Sequence, residues 1–337
     1  MTLIAAARST RTPLTQPGPP RSSALRHGLV LTGLLGLGLV AYYLLTHLEG
    51  TQGQVCLLVV IWTVAVTGLN IVQGLGGYPS LAQASFYGGG AYLSTIFLAD
   101  GMPMVVAAGL AVVAVAAAGL IVGLVFARTR GQYFAIGTLF FGAVCTLVFN
   151  NATTVTGGPN GRPVDLGFAP TTTLRLLAAS LTLGFAVFYL LAQRRFGSRL
   201  LSIREDEDLA DHVCVPTART KLLALVLSSM FGAWAGVLLA QYDGVIAPPQ
   251  FTFGQSFLMF VAIGLGGYGR LLAPLVGSLI VIGLPQLLDL GPGVSQIAVG
   301  ITFIAVTLLV PGGIIGGAEA LARRLRPRRT VPAGDAR

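Results

Sequence analysis

Charged residues are scarce in this sequence. Asp, Glu, Lys and Arg make up 10% of the 337 residues, whereas a soluble domain carries about 25%. Hydrophobic residues make up 54%, and the mean hydropathy is +0.80. A chain with so few charges cannot cover a water-facing surface, which excludes a soluble globular protein. The composition therefore predicts an all-α, polytopic transmembrane helical bundle, and the 45 glycines suit closely packed membrane helices.

Motifs for catalysis and metal binding are also missing. The chain has no GxxxxGK[ST] nucleotide loop, and Lys221 is its only lysine. HExxH and GxSxG are absent, the three histidines are widely scattered, and the three cysteines have no CxxC spacing. The sequence therefore predicts no catalytic residue, no metal site and no cofactor on this chain. If it takes part in active transport, the energy must come from another chain.

Long charge-free runs fill the region between the two ends. Residues 50–99 contain no Asp, Glu, Lys or Arg, and similar runs continue almost to residue 318. At about 20 residues per crossing, dividing the longer runs at their Gly- and Pro-rich breaks predicts about ten spans. The chain then divides into a disordered basic tail (1–27), a transmembrane permease domain (28–318) and a second basic tail (319–337).

The basic residues predict the orientation. A net charge of +9 suggests nucleic-acid binding in a soluble chain, but here the basic residues lie at the ends and in short loops. With the N-terminus inside and ten alternating spans, 19 of the 21 Lys and Arg residues fall on the inner side, and only Arg162 and Arg175 fall outside. This asymmetry follows the positive-inside rule. We therefore expect a multi-pass inner-membrane protein with both termini in the cytoplasm and no nucleic-acid partner.

A glycine-rich pentapeptide occurs twice, as Gly74-Leu75-Gly76-Gly77-Tyr78 and as Gly264-Leu265-Gly266-Gly267-Tyr268. Such breaks in corresponding places of two halves indicate broken helices at a transport path, although glycine-rich turns can also recur by chance. Polar amides within apolar spans either contact a polar solute or hydrogen-bond neighbouring helices. The predicted pathway residues are Asn70, Gln73, Gln83, Asn150, Asn151, Gly76, Gly77, Gly266 and Gly267.

The segment 194–221 carries charges of both signs between two spans. Leu200 and Ile203 predict a short amphipathic helix, with Ser202 as its cap and acidic residues in its first turn. A solvated loop is the alternative, but the length and charge density favour docking to a cytoplasmic partner. The residues predicted to dock are Arg204, Glu205, Asp206, Glu207 and Asp208.

Three stretches, in order, carry a resemblance to a known family. They are Gly68-Leu69-Asn70 with Ser80–Phe86 and Gly90-Ala91-Tyr92; Tyr133–Ile136 through Asn150-Asn151 to Thr156–Gly161; and Arg204–Glu207 with Lys221–Ala224 and Gly264–Gly267. Together they resemble the M-type (LivM-like) permease subunits of branched-chain amino acid ABC transporters, over most of the chain. One departure is Cys214, which stands where the family usually has a glycine after the coupling helix.

The resemblance implies a membrane-spanning permease subunit of an ATP-binding-cassette importer, which forms the translocation pathway for branched-chain, hydrophobic amino acids. The implied partners are a second permease subunit, two cytoplasmic ATPase subunits that bind ATP and Mg, an extracytoplasmic substrate-binding protein and membrane lipid. The segment Arg204–Asp211 is then the coupling helix, which docks into a groove of an ATPase subunit.

Three alternatives remain open at this point. Permeases for urea or short-chain amides share these motifs, and the sequence does not distinguish them from permeases for branched-chain amino acids. A stand-alone secondary carrier is less favoured, because such carriers usually have an intramembrane acid or basic relay, and Asp100, Asp243 and Asp289 all fall at predicted outer ends. A membrane scaffold without transport is the least favoured.

Overall fold

The structure is a computed structural model, and it describes residues 22–48, 50–126, 128–129, 131–165, 167–287, 291–309 and 312–325. The described part of the chain is almost entirely helical. Its helices are α1 Ser22–His47, α2 Gly50–Leu69, α3 Gln83–Ala99, α4 Met104–Phe126, α5 Gln132–Asn151, α6 Thr153–Thr156, α7 Pro170–Gln193, α8 Arg195–Glu205, α9 Glu207–His212, α10 Thr217–Asp243, α11 Phe253–Gly266, α12 Ala273–Ser278, α13 Leu284–Leu287, α14 Pro292–Leu309 and α15 Gly313–Leu325.

Six of these helices are long and apolar enough to cross a membrane, and they confirm the prediction of an all-α, multi-pass membrane protein. They comprise residues His27–His47, Gly50–Leu75, Met104–Phe126, Gln132–Asn151, Pro170–Gln193 and Thr217–Asp243. Shorter apolar helices cover Phe253–Gly266, Ala273–Gln286 and Ile297–Val306, and α3 adds a further 17 residues. Because these segments are shorter than a full crossing, the count of ten spans remains a prediction.

Helix α10 lies at the centre of the bundle, in contact with α2, α3 and α4. Small residues allow α3 and α10 to approach backbone to backbone. A Cβ atom on Gly236 would lie 2.8 Å from the backbone nitrogen of Ala91, and a Cβ atom on Gly90 would lie 2.5 Å from the Cα atom of Ala233. Membrane helices associate by this kind of close packing because lipid provides no hydrophobic drive between them.

Two helices change to π geometry where they approach their ends. α2 continues as a π segment over Asn70–Leu75, and α12 continues as a π segment over Leu279–Gly283 before α13. The first π segment contains the start of the first glycine-rich copy, and α11 ends at Gly266 within the second copy. Short π segments are rare and occur frequently at functional sites, so the glycine-rich copies are candidates for the functional site.

The segment between α5 and α7 has its own structure. It contains α6, a 3₁₀ turn at Gly158–Asn160 and a strand, β1, at Arg162–Pro163. β1 pairs antiparallel with β2, Val245–Ile246, so that Arg162 faces Ile246. Another 3₁₀ turn, Pro248–Phe251, then leads from β2 into α11. This pairing fastens the α5–α7 connection to the end of α10.

Helices extend into the residues that were assigned to the two tails. Helix α1 begins at Ser22 and so includes the last six residues of the predicted first tail, and α15 continues to Leu325, within the predicted second tail. The division into two tails and a permease domain stays a prediction. Residues 1–21 and 326–337, with most of the terminal arginines, lie outside the described residues.

Candidate functional site

The two glycine-rich copies lie against each other. Asn70, at the start of the π segment after α2, is fully buried. Its Oδ1 accepts a hydrogen bond from the backbone N–H of Gly269 at 3.0 Å, and its Nδ2 donates to the backbone carbonyl of Arg270 at 2.9 Å. One amide side chain thus joins the end of the first copy's helix to the residues that follow the second copy.

Arg204, the penultimate residue of α8, contacts the first copy. Its Nη1 donates a hydrogen bond to the carbonyl of Gly74 at 2.6 Å. Gly77 has a φ of +76°, and a Cβ atom there would lie 2.9 Å from the Cβ atom of Arg204. The chain is therefore glycine at this position for two reasons, the left-handed backbone and the close approach of α8. Although no charged residue is near the first copy in sequence, the fold places Arg204 beside it.

The glycines of the second copy also make room for neighbouring backbone. A Cβ atom on Gly266 would lie 2.7 Å from the carbonyl carbon of Ala273, which allows α11 and α12 to turn back on each other. Gly267 has a φ of +112°, and a Cβ atom there would lie 2.6 Å from the carbonyl oxygen of Gly312, next to α15. Gly76 similarly makes room for the ring of Tyr78, since a Cβ atom would lie 3.1 Å from its Cδ1.

An open cleft of about 530 Å³ borders both copies. Leu75 and Tyr268 line it from the two copies, Gly269 lines it next to the second copy, and Arg204 and Arg270 add positive charge. Burial raises the pKa of the Tyr268 hydroxyl, while its hydrogen bond with Gln73 and the charge of Arg204 oppose that rise. The Gln73 Oε1 atom, in contrast, is buried and makes no hydrogen bond within the described part of the chain. Gln73 is therefore a predicted pathway amide whose oxygen is free to accept a hydrogen bond from a solute.

The other predicted pathway amides bond within the helix bundle. Gln83 Nε2 donates to the carbonyl of Ala65 at 2.8 Å, and its Oε1 accepts from the Ser228 hydroxyl at 2.9 Å. Asn150 and Asn151 each donate to a carbonyl of their own helix, α5, four residues earlier. Gln83 shows the interhelical hydrogen bonding that was the alternative interpretation of these residues, whereas Asn70 bonds to the loop between α11 and α12. Contact with a solute remains a prediction for all of them.

The segment between α7 and α10 forms two short helices, α8 and α9. Leu200 and Ile203 are buried, which confirms the predicted apolar face. The predicted cap is wrong, because Ser202 lies inside α8 and its hydroxyl donates to the Ser198 carbonyl. Asp206 caps α9 instead, and its Oδ1 accepts from the backbone N–H of Leu209 at 2.9 Å. A capping carboxylate at a helix N-terminus also interacts favourably with the helix dipole.

A buried ion pair fastens α9 to the bundle. Lys221 is 1% exposed, and its ammonium group donates to the carboxylate of Glu207 and to the carbonyl of Thr129. The ammonium group also lies 5.5 Å from the centre of the Tyr78 ring. Burial, with the nearby charge of Glu207, raises the pKa of the Tyr78 hydroxyl. Among the predicted docking residues, Glu207 therefore faces the protein, while Glu205, Asp206 and Asp208 are exposed.

Apolar residues on the outside of this segment were not predicted to function. Leu209 is 62% exposed and Val213 is 65% exposed, on a segment made mostly of charged and polar residues. Cys214 follows with a φ of 60°, in the left-handed region that glycine adopts most readily. This backbone conformation is the physical reason to expect a glycine here, as the resemblance implied. The signal for Leu209 and Val213 was available as two apolar residues beside an acidic run.

Within the part of the chain that the structure describes, no group of three or more His, Cys, Asp or Glu residues could hold a metal ion. The charged residues Arg204 and Lys221 instead link loops and helices to each other.

Comparison with known proteins gives one family and several relatives. The family described as branched-chain amino acid transport system / permease component matches residues 53–315. The LivM permease protein of the high-affinity branched-chain amino acid transport system of Escherichia coli is 28% identical over 327 residues, which is 87% of this chain and 76% of that protein. The E. coli LivH permease protein is 32% identical over 37% of this chain and 41% of its own length.

A relative with a different transport system is also found. The LsrD permease protein of the autoinducer 2 import system of Yersinia enterocolitica is 29% identical over 66% of this chain and 70% of its own length. No solved structure matches the chain.

Proposed function

The chain belongs to the family of branched-chain amino acid transport system permease components, and from that premise we propose that it forms the translocation pathway for branched-chain, hydrophobic amino acids. It is a membrane permease subunit of an ATP-binding-cassette importer, not an enzyme. The observation that carries the proposal is the family match over residues 53–315, which contain both glycine-rich copies and the α8–α9 segment.

The assembly follows from similarity to two different permeases. Because LivM and LivH relatives are both permeases of one transport system, we infer a second permease subunit beside this chain. Two ATPase subunits supply the energy with ATP and Mg, and an extracytoplasmic protein delivers the substrate. The complex lies in the inner membrane, and ten spans place both termini and the α8–α9 segment in the cytoplasm. The basic cleft at Arg204 and Arg270 supports this orientation by the positive-inside rule.

Alternating access is the mechanism. Closure of the ATPase subunits moves α8 and α9, and the helices that carry the glycine-rich copies then open the pathway inward. A zwitterion with an apolar side chain needs neutral amides and helix ends rather than fixed counter-charges. Gln73 fits that role best, because its buried Oε1 is unused among the described residues.

Reconstitution tests this function. The chain is purified with the proteins that remain bound to it, and the complex is placed in vesicles with the binding protein. We expect ATP-dependent uptake of leucine, isoleucine and valine, and none from the chain alone. Uptake by the chain alone would indicate a secondary carrier. Uptake of urea but not of leucine would favour the amide permease, and uptake of neither would contradict the proposal.

Leu209 should contribute to the binding of an ATPase subunit. Leu209 and Val213 are both exposed and lie four residues apart among polar residues, and an exposed apolar patch with a polar rim indicates a protein interface. Exchanging an apolar residue for a charge at the centre of such an interface typically weakens binding by a factor of roughly ten or more. We expect Leu209→Asp to lower the amount of ATPase that co-purifies with the permease by about that factor. The yield of the permease itself should stay unchanged, because Leu209 is 62% exposed.

Val245 offers the matched control for Leu209. It is also apolar and 49% exposed, but it lies in β2, at the opposite end of α10 from the α8–α9 segment. Val245→Asp should leave ATPase binding unchanged. Equal amounts of bound ATPase in Leu209→Asp and wild type would show that α9 does not form the interface.

A further inference from the structure

Arg204, Gly74 and Gly269 form one continuous contact at the end of the bundle. Arg204 Nη1 donates to the Gly74 carbonyl at 2.6 Å. A Cβ atom on Gly269 would lie 2.9 Å from that same carbonyl oxygen and 3.4 Å from Arg204 Nη1. The α8–α9 segment, which is the proposed coupling segment, therefore touches the first glycine-rich copy and the residue that follows the second copy at a single place. The three are separated by about 60 to 200 residues in the sequence.

Asn70 links the first copy to the residues that follow the second copy. Its oxygen and its nitrogen bond to the backbone of two consecutive residues, Gly269 and Arg270. A side-chain amide that uses both its acceptor and its donor in this way fixes distance and orientation together. A Cβ atom on Gly74 would lie 2.6 Å from the Gly269 nitrogen, so no side chain separates the two backbones.

We propose that Arg204 and Asn70 are positioning residues that make the two glycine-rich copies respond to the coupling segment as one unit. When α8 moves, Arg204 displaces the Gly74 carbonyl, and Asn70 carries the displacement to Gly269 and Arg270. Coupling between distant sites can be carried by a chain of hydrogen bonds and packed residues of this kind. The open cleft beside Arg204 gives the network space in which to move. The inference rests on the proposed function and adds the route by which the energy reaches the pathway.

The test measures substrate transported per ATP hydrolysed in vesicles that contain the full transporter. We expect Arg204→Gln and Asn70→Ala each to lower this ratio by about fivefold, near the middle of the range for residues that modulate coupling. Because the two residues belong to one network, the double variant should lose no more than the larger single loss. Arg204→Lys, which keeps a cationic donor for the Gly74 carbonyl, should recover most of the ratio.

Two variants control for structural damage. Gln241 is a buried amide near the other end of α10, and its Oε1 accepts from the backbone N–H groups of Gly167 and Phe168. Gln241→Ala removes a similar bridge and should reduce the amount of folded complex without changing the ratio. Arg199→Gln removes an exposed arginine from α8 and should change neither quantity.

The outcomes separate this inference from the proposed function. An unchanged ratio of substrate transported to ATP hydrolysed in Arg204→Gln overturns the inference. Arg204 is exposed, so this variant should fold, and its result stands even if Asn70→Ala does not fold. A double-variant loss equal to the product of the two single losses also overturns it, since independent sites add in free energy. A wild-type complex without ATP-dependent uptake would overturn the proposed function itself, and the inference with it.

Discussion

Gly236→Leu should prevent this chain from folding. The glycine lies in the seam between α10 and α3, where any Cβ atom would overlap the backbone of Tyr87 and lie 2.8 Å from the Ala91 nitrogen. Backbone in the middle of a helix cannot move aside as a flexible side chain can, so the two helices must separate. Overpacking costs about 1–3 kcal/mol where side chains can adjust, and we expect at least the upper end of that range here. The measurement is the monodisperse fraction on size-exclusion chromatography in detergent.

Gly109→Leu is the matched control for the seam. Gly109 also lies within a long apolar helix, α4, but a Cβ atom there would meet nothing within 4 Å. Leucine has a better helix propensity than glycine by roughly 0.5–1 kcal/mol, so this variant should fold at least as well as wild type. Gly236→Ala should already reduce the folded fraction, because the overlap begins at Cβ. A monodisperse Gly236→Leu protein at the wild-type yield would show that α3 and α10 do not pack as described.

Patterns within short stretches of sequence predicted the parts of the structure that depend on local physics. Charge-free runs predicted the apolar helices, since crossing a membrane requires about 20 residues without charges. Leu200 and Ile203 predicted the buried face of α8, because residues three apart share one side of a helix. Ser202 was wrongly assigned as the cap because the local pattern does not fix where the helix begins. Both serine and aspartate can cap a helix, and only the break at Asp206 decides which one does.

The functional site depends on contacts that no local pattern contains. The pentapeptide repeat indicated that both copies matter, but it could not show that Gly74 and Gly269 touch, because that contact spans almost 200 residues. Asn70 was predicted from its polarity inside an apolar span, which is compatible with binding a solute or a neighbouring helix. Its hydrogen bonds to the backbone of Gly269 and Arg270 join it to the loop between α11 and α12, a partner about 200 residues away that its polarity alone does not identify. Lys221 was predicted to lie on the inner side, but its ion pair with Glu207 was not predicted, because no local pattern pairs the two residues.

Glu207→Ala should destabilise the protein more than Lys221→Met does. The lysine is 1% exposed and the glutamate 21% exposed. Removing the glutamate leaves a buried ammonium group with the Thr129 carbonyl, whereas removing the lysine leaves a carboxylate that water can reach. Breaking a buried ion pair from one side costs about 3–5 kcal/mol, so we expect about 3 kcal/mol for Glu207→Ala and clearly less for Lys221→Met. Thermal unfolding of the purified permease in detergent measures both values.

The double variant Lys221→Met with Glu207→Leu gives the sharper result. Replacing both charges with apolar groups of similar size is often neutral, so the double variant should be more stable than Glu207→Ala alone. Glu205→Ala, an exposed carboxylate two residues earlier, should change the free energy of unfolding by no more than about 0.5 kcal/mol. Strictly additive losses would mean that the two side chains do not interact.

The ion pair between Lys221 and Glu207 also affects how movement of the α8–α9 segment reaches the helix bundle. If Glu207 made no contact with α10, α9 could move with an ATPase subunit while the helix bundle stayed in place. Because Lys221 holds Glu207 and also contacts the Thr129 carbonyl between α4 and α5, movement of α9 must displace α10 and the α4–α5 connection. We therefore expect the double variant, although stable, to transport less substrate per ATP than wild type. An unchanged ratio would assign the transmission of force to Arg204 and Asn70 alone.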